Sequence, residues 1–255
     1  MFSGNFFGNF DLTLILLYGF WAFFFGLVVY LNREGKREGY PMVSDTTGAY
    51  DGEGWTGMPS PKTFILPHGA GTVQAPRPEM VHELPIGPVR WSGDPIDPLG
   101  DPMQLGLGPA AYAMRADKPH LAYDDELPSI VPLRVATDFY LSVDDPDPRG
   151  MTVMDADGVA AGTVTDVWVD RSEYLARFLE IETASGKHVL APVPLVRVNE
   201  TTGQVRIRTL LARHIAAAPT TASPNQITLR EEDRIQAYFA SGQLFAKPER
   251  SEPFL

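Results

Sequence analysis

Residues 12 to 32, LTLILLYGFWAFFFGLVVYLN, contain no Asp, Glu, Lys, Arg or His, and they lie between Asp11 and Arg33. A run of 32 − 12 + 1 = 21 residues, at about 1.5 Å each, spans the roughly 30 Å hydrocarbon core of a bilayer. The run predicts a single transmembrane helix. The alternative, a buried helix of a soluble protein, is disfavoured because no polar stripe interrupts the run at helical spacing. A secretory signal would carry positive charge before its apolar stretch and a small-residue cleavage site after it, and neither is present. Cations cluster instead beyond the helix at Arg33, Lys36 and Arg37, which places the C-terminal side in the cytoplasm and residues 1–11 on the periplasmic side. Phe2, Phe6, Phe7 and Phe10, with Trp21 and Tyr30, offer rings to lipid or to neighbouring helices.

About 220 of the 255 residues follow the helix, enough for one sizeable body or two small ones. The chain has no cysteine, so disulfides, thiolate metal sites and cysteine nucleophiles are excluded. Its net charge of −11 argues against sequence-independent nucleic-acid binding, which needs a basic face. An acidic body is also repelled by an anionic leaflet, so it is expected to rest on protein, unless a basic patch is hidden in the average.

After the helix comes NREGKREGYPMV, where Pro41 cannot continue a helix interior. Residues 33–130 are crowded with Gly and Pro, as in GAYDGEGWTGMPSPK, PHGAGTVQAPRP and SGDPIDPLGDP. That composition predicts extended chain, turns and a few short strands. Trp55, Phe64, Ile65, Leu66, Trp91, Met103, Leu105 and Tyr112 are more apolar bulk than a solvated linker needs, so the segment is expected to be ordered by lying along another surface.

From about residue 131 to 255 short β-rich runs alternate with turn signals, as in a small antiparallel barrel or sandwich. MTVMDADG reads as a strand ending in a turn at Asp157 and Gly158, and GTVTDVWVD as the next strand. In RFLEIETASGK, Leu179 and Ile181 share one face, Phe178, Glu180 and Glu182 the other, and Ser185-Gly186 forms the turn. QVRIR puts Val205 and Ile207 inward and Arg206 and Arg208 outward. A short amphipathic helix closes the chain: Thr228 and Glu231 form a capping box, Ile235, Tyr238 and Phe239 a stripe, and Gly242 is read as the C-terminal cap.

Motifs for self-contained catalysis are lacking. PHGAGT lacks the spacing of a phosphate loop, and His68, His82, His120, His188 and His214 form no paired metal-binding spacing. No nucleophile elbow surrounds any serine. What remains is carboxylates: Asp124, Asp125 and Glu126 in one loop, and Asp166, Asp170 and Glu173 close to Arg177. Neighbouring carboxylates favour protonation of one another, so such a group can exchange protons near neutral pH. A proton relay and a solvated acidic surface with an ion pair to Arg177 both fit this spacing.

Several stretches together resemble one family, the H subunit of the purple-bacterial photosynthetic reaction centre. They are FGNFDL near the start, REGYP at 37–41, PKTFILPHG at 61–69, GDPM at 100–103, GPA at 108–110, GTVTDVWVDRSE at 162–173, ARFLE at 176–180 and ITLREEDRIQAY at 227–238. The resemblance implies a cytoplasmic domain of PRC-barrel type. It also implies an accessory, non-enzymatic chain that binds no redox cofactor itself. Bacteriochlorophyll, bacteriopheophytin, quinones, non-haem iron and carotenoid would sit in the complex, with the L and M subunits as partners, antenna and cytochrome subunits as neighbours, and membrane lipid around the helix. The setting implied is the bacterial inner, intracytoplasmic membrane. In such a subunit Glu173 carries protons toward the secondary quinone, tuned by Asp170 and Arg177, while Asp124 and Glu126 take the place of the surface histidine pair that some relatives use for proton uptake. The reading from a different class is a membrane-tethered PRC-barrel adaptor unrelated to photosynthesis.

Overall fold

The computed structural model describes residues 5–250 apart from 8–9, 41, 44–49, 52–53, 68, 78–83, 89, 92–93 and 96. Phe2, Pro41, His68 and His82 therefore lie outside the described residues. The chain divides into two compact units, residues 1–83 with 89–95, and residues 84–88 with 96–255.

In the first unit, strands β1 (Asn5–Phe7) and β2 (Phe10–Asp11) pair antiparallel and lead into helix α1 (Leu12–Gly35). The helix runs three residues past the uncharged stretch, through Arg33, Glu34 and Gly35. None of its residues is buried within the chain, so its apolar surface is presented outward on all sides, as a lipid-facing helix requires. Strands β3 (Met42–Val43) and β4 (Tyr50–Asp51) form one small pair, and β5 (Lys62–Ile65) and β6 (Thr72–Ala75) a second. Side chains tie this chain to the end of α1. Arg37 donates to Glu34 (2.8 Å) and to the carbonyls of Ser60 (2.9 Å) and Ala75 (2.8 Å), Lys62 meets Glu34 at 2.7 Å, and Trp55 stacks on Phe25. The Pro/Gly-rich segment here is ordered against the chain's own helix.

The second unit opens with the one-turn helix α2 (Pro102–Leu105), whose first turn is capped by Asp101, and a 3-10 turn at Gly108–Ala110. Its body is a sheet of β7 (Ile130–Pro132), β8 (Thr152–Met154), β9 (Ala160–Asp170), β10 (Leu175–Thr183), β11 (His188–Pro192), β12 (Val196–Asn199) and β13 (Gln204–Ile207). The strand order is β11-β10-β9-β8-β13-β12, with β7 added to the end of β9. Neighbours are antiparallel except β13 beside β8, which is parallel. Helix α3 (Ala212–Ala217) and helix α4 (Leu229–Phe245) follow, and the core is Val153, Val164, Phe178, Ile181, Val189 and Ile207 with Ile235 and Phe239 of α4.

Both faces of β10 are covered over part of its length, so Phe178, Leu179, Glu180 and Ile181 are all buried, and its register against β9 shifts between Ala176 and Phe178 and again between Glu180 and Ile181. One local reading changes. Gly242 is not the cap of α4, which continues to Phe245 and ends at Ala246. A Cβ at 242 would sit 2.3 Å from Leu210 Cδ2 and 2.6 Å from the Thr209 carbonyl, so the glycine allows the helix to approach the chain beside it. The capping box is present, with Glu231 N–H donating to Thr228 Oγ1 at 3.2 Å and Thr228 N–H to Glu231 Oε2 at 2.9 Å.

Candidate functional site

β9 ends at Asp170, and the chain reverses through Arg171–Tyr174 into β10, with Tyr174 in the left-handed region (φ 56°). The reversal is held by Asp170 itself. Its Oδ1 accepts from Ser172 N–H (2.9 Å), Glu173 N–H (3.2 Å) and Ser129 Oγ–H (2.8 Å), and the Ser129 and Ser172 hydroxyls lie 3.1 Å apart. Asp170 and Ser129 are both buried. A carboxylate taken out of water thus sits at one end of a two-hydroxyl chain, and hydroxyls both donate and accept protons.

Glu173, at the tip, is the opposite case: its side chain is 61 % exposed. Arg177 stands 4.0 Å from it, but its close partner is Glu232 on α4, at 2.7 Å. Burial works to lower the Arg177 pKa, and the hydrogen bond and charge of Glu232, with Asp170 and Glu173 behind it, outweigh that and raise it. Arg177 is a fixed positive charge beside both candidate carboxylates.

The loop carrying Asp124, Asp125 and Glu126 is closed by backbone pairs, Ala122 N–H to the Leu127 carbonyl and Ser129 N–H to the His120 carbonyl, both 2.8 Å. Arg171 N–H donates to the Ser129 carbonyl (2.8 Å) and its guanidinium binds Asp125. The Arg171 hydrogen bond holds the Asp125 carboxyl below its ordinary range, helped by Leu127 N–H. Asp124 and Glu126 flank that fixed carboxylate on the exposed side of the loop.

Asp170, Glu173 and Arg177 are therefore brought together, and the 124–126 loop is joined to them through Arg171 and Ser129. Asp166 is not part of this group. It pairs with Arg134 (3.0 Å), which also meets Glu180 (2.6 Å), while Glu180 accepts from Trp168 Nε1 (2.8 Å) and contacts His188 Nδ1 (2.9 Å). This second cluster lines a cleft of about 710 Å³. Sequence reasoning missed Ser129, Ser172 and Glu232. Glu232 stands 55 positions from Arg177 and reads only as first-turn acid of a capped helix, which favours carboxylates on its own account.

Among the described residues no three His, Cys, Asp or Glu side chains are arranged to hold a metal ion. An apolar helix long enough to cross a membrane is followed by a mainly-β body, and residues 142–211 of that body match the PRC-barrel domain model. Residues 4–135 match the model for the photosynthetic reaction centre, H-chain N-terminal region. The chain belongs to the photosynthetic reaction centre H-chain family. H chains of this family bind no pigment.

Proposed function

We propose that this chain is the accessory subunit that covers the L and M subunits on the cytoplasmic side, keeps bulk water from their quinone sites, and passes protons to the secondary quinone. Antenna and cytochrome subunits are its proposed neighbours in the complex. The reduced quinone must be screened from solvent and also receives two protons, so a cover needs a proton path through it. The observation that carries this reading is the pairing of an exposed Glu173 with a buried Asp170 that is linked to the Ser129 and Ser172 hydroxyls, next to the fixed charge of Arg177. Asp124 and Glu126 gather protons at the surface, the hydroxyls and Asp170 hold and hand them on, and Glu173 delivers them. Arg177 limits how long either carboxylate stays protonated.

Glu173→Gln in the assembled complex tests the route. Flash-induced kinetics are expected to show a proton-coupled second electron transfer slowed by about 10- to 100-fold, the range of one positioned acid–base group, with primary charge separation unchanged. Equal rates in both proteins from pH 6 to 9 would remove Glu173 from the path.

A further inference from the structure

Strand β12 (Val196–Asn199) is an edge of the large sheet, paired on one side with β13. Val196 N–H turns back to the Val193 carbonyl in the turn before the strand, among the described residues no other strand pairs with the outer side, and Arg197, Val198 and Asn199 are exposed. An edge of this kind presents a row of unpaired N–H and C=O groups that another strand can use.

The charged side chains that β12 and β13 present to solvent are both arginines, beside the uncharged Asn199 and Gln204. Arg197 lies directly opposite Arg206 in the β12–β13 register, and Arg208, one residue past the end of β13, is also exposed. Like charges placed directly opposite destabilise a strand pair. Arg197 and Arg208 have no acidic partner among the described residues, and the Arg206 guanidinium donates only to the Ala156 carbonyl (3.1 Å). Acidic residues outnumber basic ones by 32 to 21 in this chain, yet neither β12 nor β13 carries one, the nearest in sequence being Glu200 in the turn between them. A single edge arginine would serve simply to repel other edges. Arg206 on the inner strand, with Arg208 just past its end, goes beyond that need.

We propose that the β12 edge and its arginine face bind an extended, carboxylate-bearing segment of a partner polypeptide, which adds to the sheet as an eighth strand. Main-chain hydrogen bonds along β12 supply the affinity, and the planar guanidinium forks of Arg197, Arg206 and Arg208 select Asp or Glu at alternate positions. A polypeptide is favoured over a lipid surface because a headgroup can answer the arginines but cannot complete the open edge.

The absence of cysteine makes the test clean. Thr201→Cys, in the exposed β12–β13 turn, is modified with a benzophenone maleimide in the full chain within its native membrane complex and irradiated, and the adducts are identified by mass spectrometry. The expected adduct is a peptide of another chain that carries at least two Asp or Glu. Its yield should fall about tenfold in 0.5 M salt, and by a similar factor in Arg197→Gln/Arg206→Gln/Arg208→Gln, as for a few rim ion pairs. Adducts to lipid alone, adducts to a segment without acids, or a yield indifferent to salt and to the triple change would overturn the proposal. The triple variant's circular dichroism and melting point show whether it is folded, and the salt series on the unchanged arginines reads out independently of that. Because pigment content and flash kinetics are not part of this readout, its failure leaves the proton route untouched.

Discussion

Glu232 shows how a residue's work can be hidden from its surroundings in sequence. Its side chain is largely covered, and it holds Arg177 at 2.7 Å while Glu173 lies at 4.0 Å from the same guanidinium. Glu232→Gln removes the close negative partner and leaves Arg177 to turn toward Glu173 and Asp170, which favours their charged forms. On the proposed proton route, the pH at which second electron transfer slows should therefore move to lower pH. Flash kinetics across pH 5 to 10 read this shift, and an unmoved profile would show that Arg177 serves packing alone. Asp155 is a second residue whose role is local and structural. Burial works to raise its pKa, and N–H groups of Val159, Ala212, Asp157 and Gly158 outweigh it, so the carboxyl is held below its ordinary 3.8. The folded value lies below the unfolded one, so this stabilisation is present above about pH 3.8 and is lost as pH falls through the folded value. Asp155→Ala strands the N–H groups of Asp157, Val159 and Ala212, each now bonded at 2.8 Å, and should cost about 2–4 kcal/mol at pH 7. Thermal melts in detergent are expected to show the gap to wild type narrowing toward pH 3, and a constant gap would contradict the assignment.

Elements were legible where a local rule and the tertiary environment agree. The Thr228–Glu231 box marks the start of α4, Gly158 and Gly186 sit at positive φ in the turns that the Asp-Gly and Ser-Gly pairs signalled, and Val205 and Ile207 point inward from β13 as alternation requires. Alternation assigns the faces of β10 but does not tell that both are buried, with Glu180 satisfied by Arg134, Trp168 and His188. Gly242 misled for a related reason. A glycine just past an apolar stripe is the mark of a helix end, and its true cause, Leu210 and the Thr209 carbonyl pressed against the helix, comes from the other side of the core. The two ends of α4 therefore respond differently to substitution. Thr228→Ala loses one cap and should lower stability by about 1 kcal/mol. Gly242→Ala places a methyl against a backbone carbonyl that cannot rotate away, and should cost at least the upper part of the roughly 1–3 kcal/mol range for overpacking, although alanine is the better helix former. Were Gly242 an ordinary helix position, the same change would raise the melting point, so the sign of the shift decides.

For the molecule as a whole, the uncharged run from residue 12 to 32 was the surest guide, because desolvation of a charge in hydrocarbon leaves few alternatives to a span. The candidate site was legible only in part: Asp170, Glu173 and Arg177 share one short reversal and so appear together in the sequence, whereas Ser129 and Glu232 reach it from 41 and 55 positions away through folding. The proposed orientation of the span is argued from charge. Arg33 in α1's last turn, then Lys36 and Arg37, lie beyond the C-terminal end of the uncharged stretch, and no basic residue precedes it. Moving three cations across the bilayer is opposed both by the insertion machinery's preference and by the membrane potential, at about 2.3 kcal/mol per charge for each 100 mV. We therefore propose that the body that carries Glu173 is cytoplasmic, on the side from which protons would be taken up. Single cysteines introduced as Ser3→Cys and Asn225→Cys into this cysteine-free chain test the placement with a membrane-impermeant maleimide. Right-side-out spheroplasts should label position 3 and spare 225, inverted vesicles should do the reverse, and the opposite pattern would put the carboxylates on the wrong face of the membrane for the proton route.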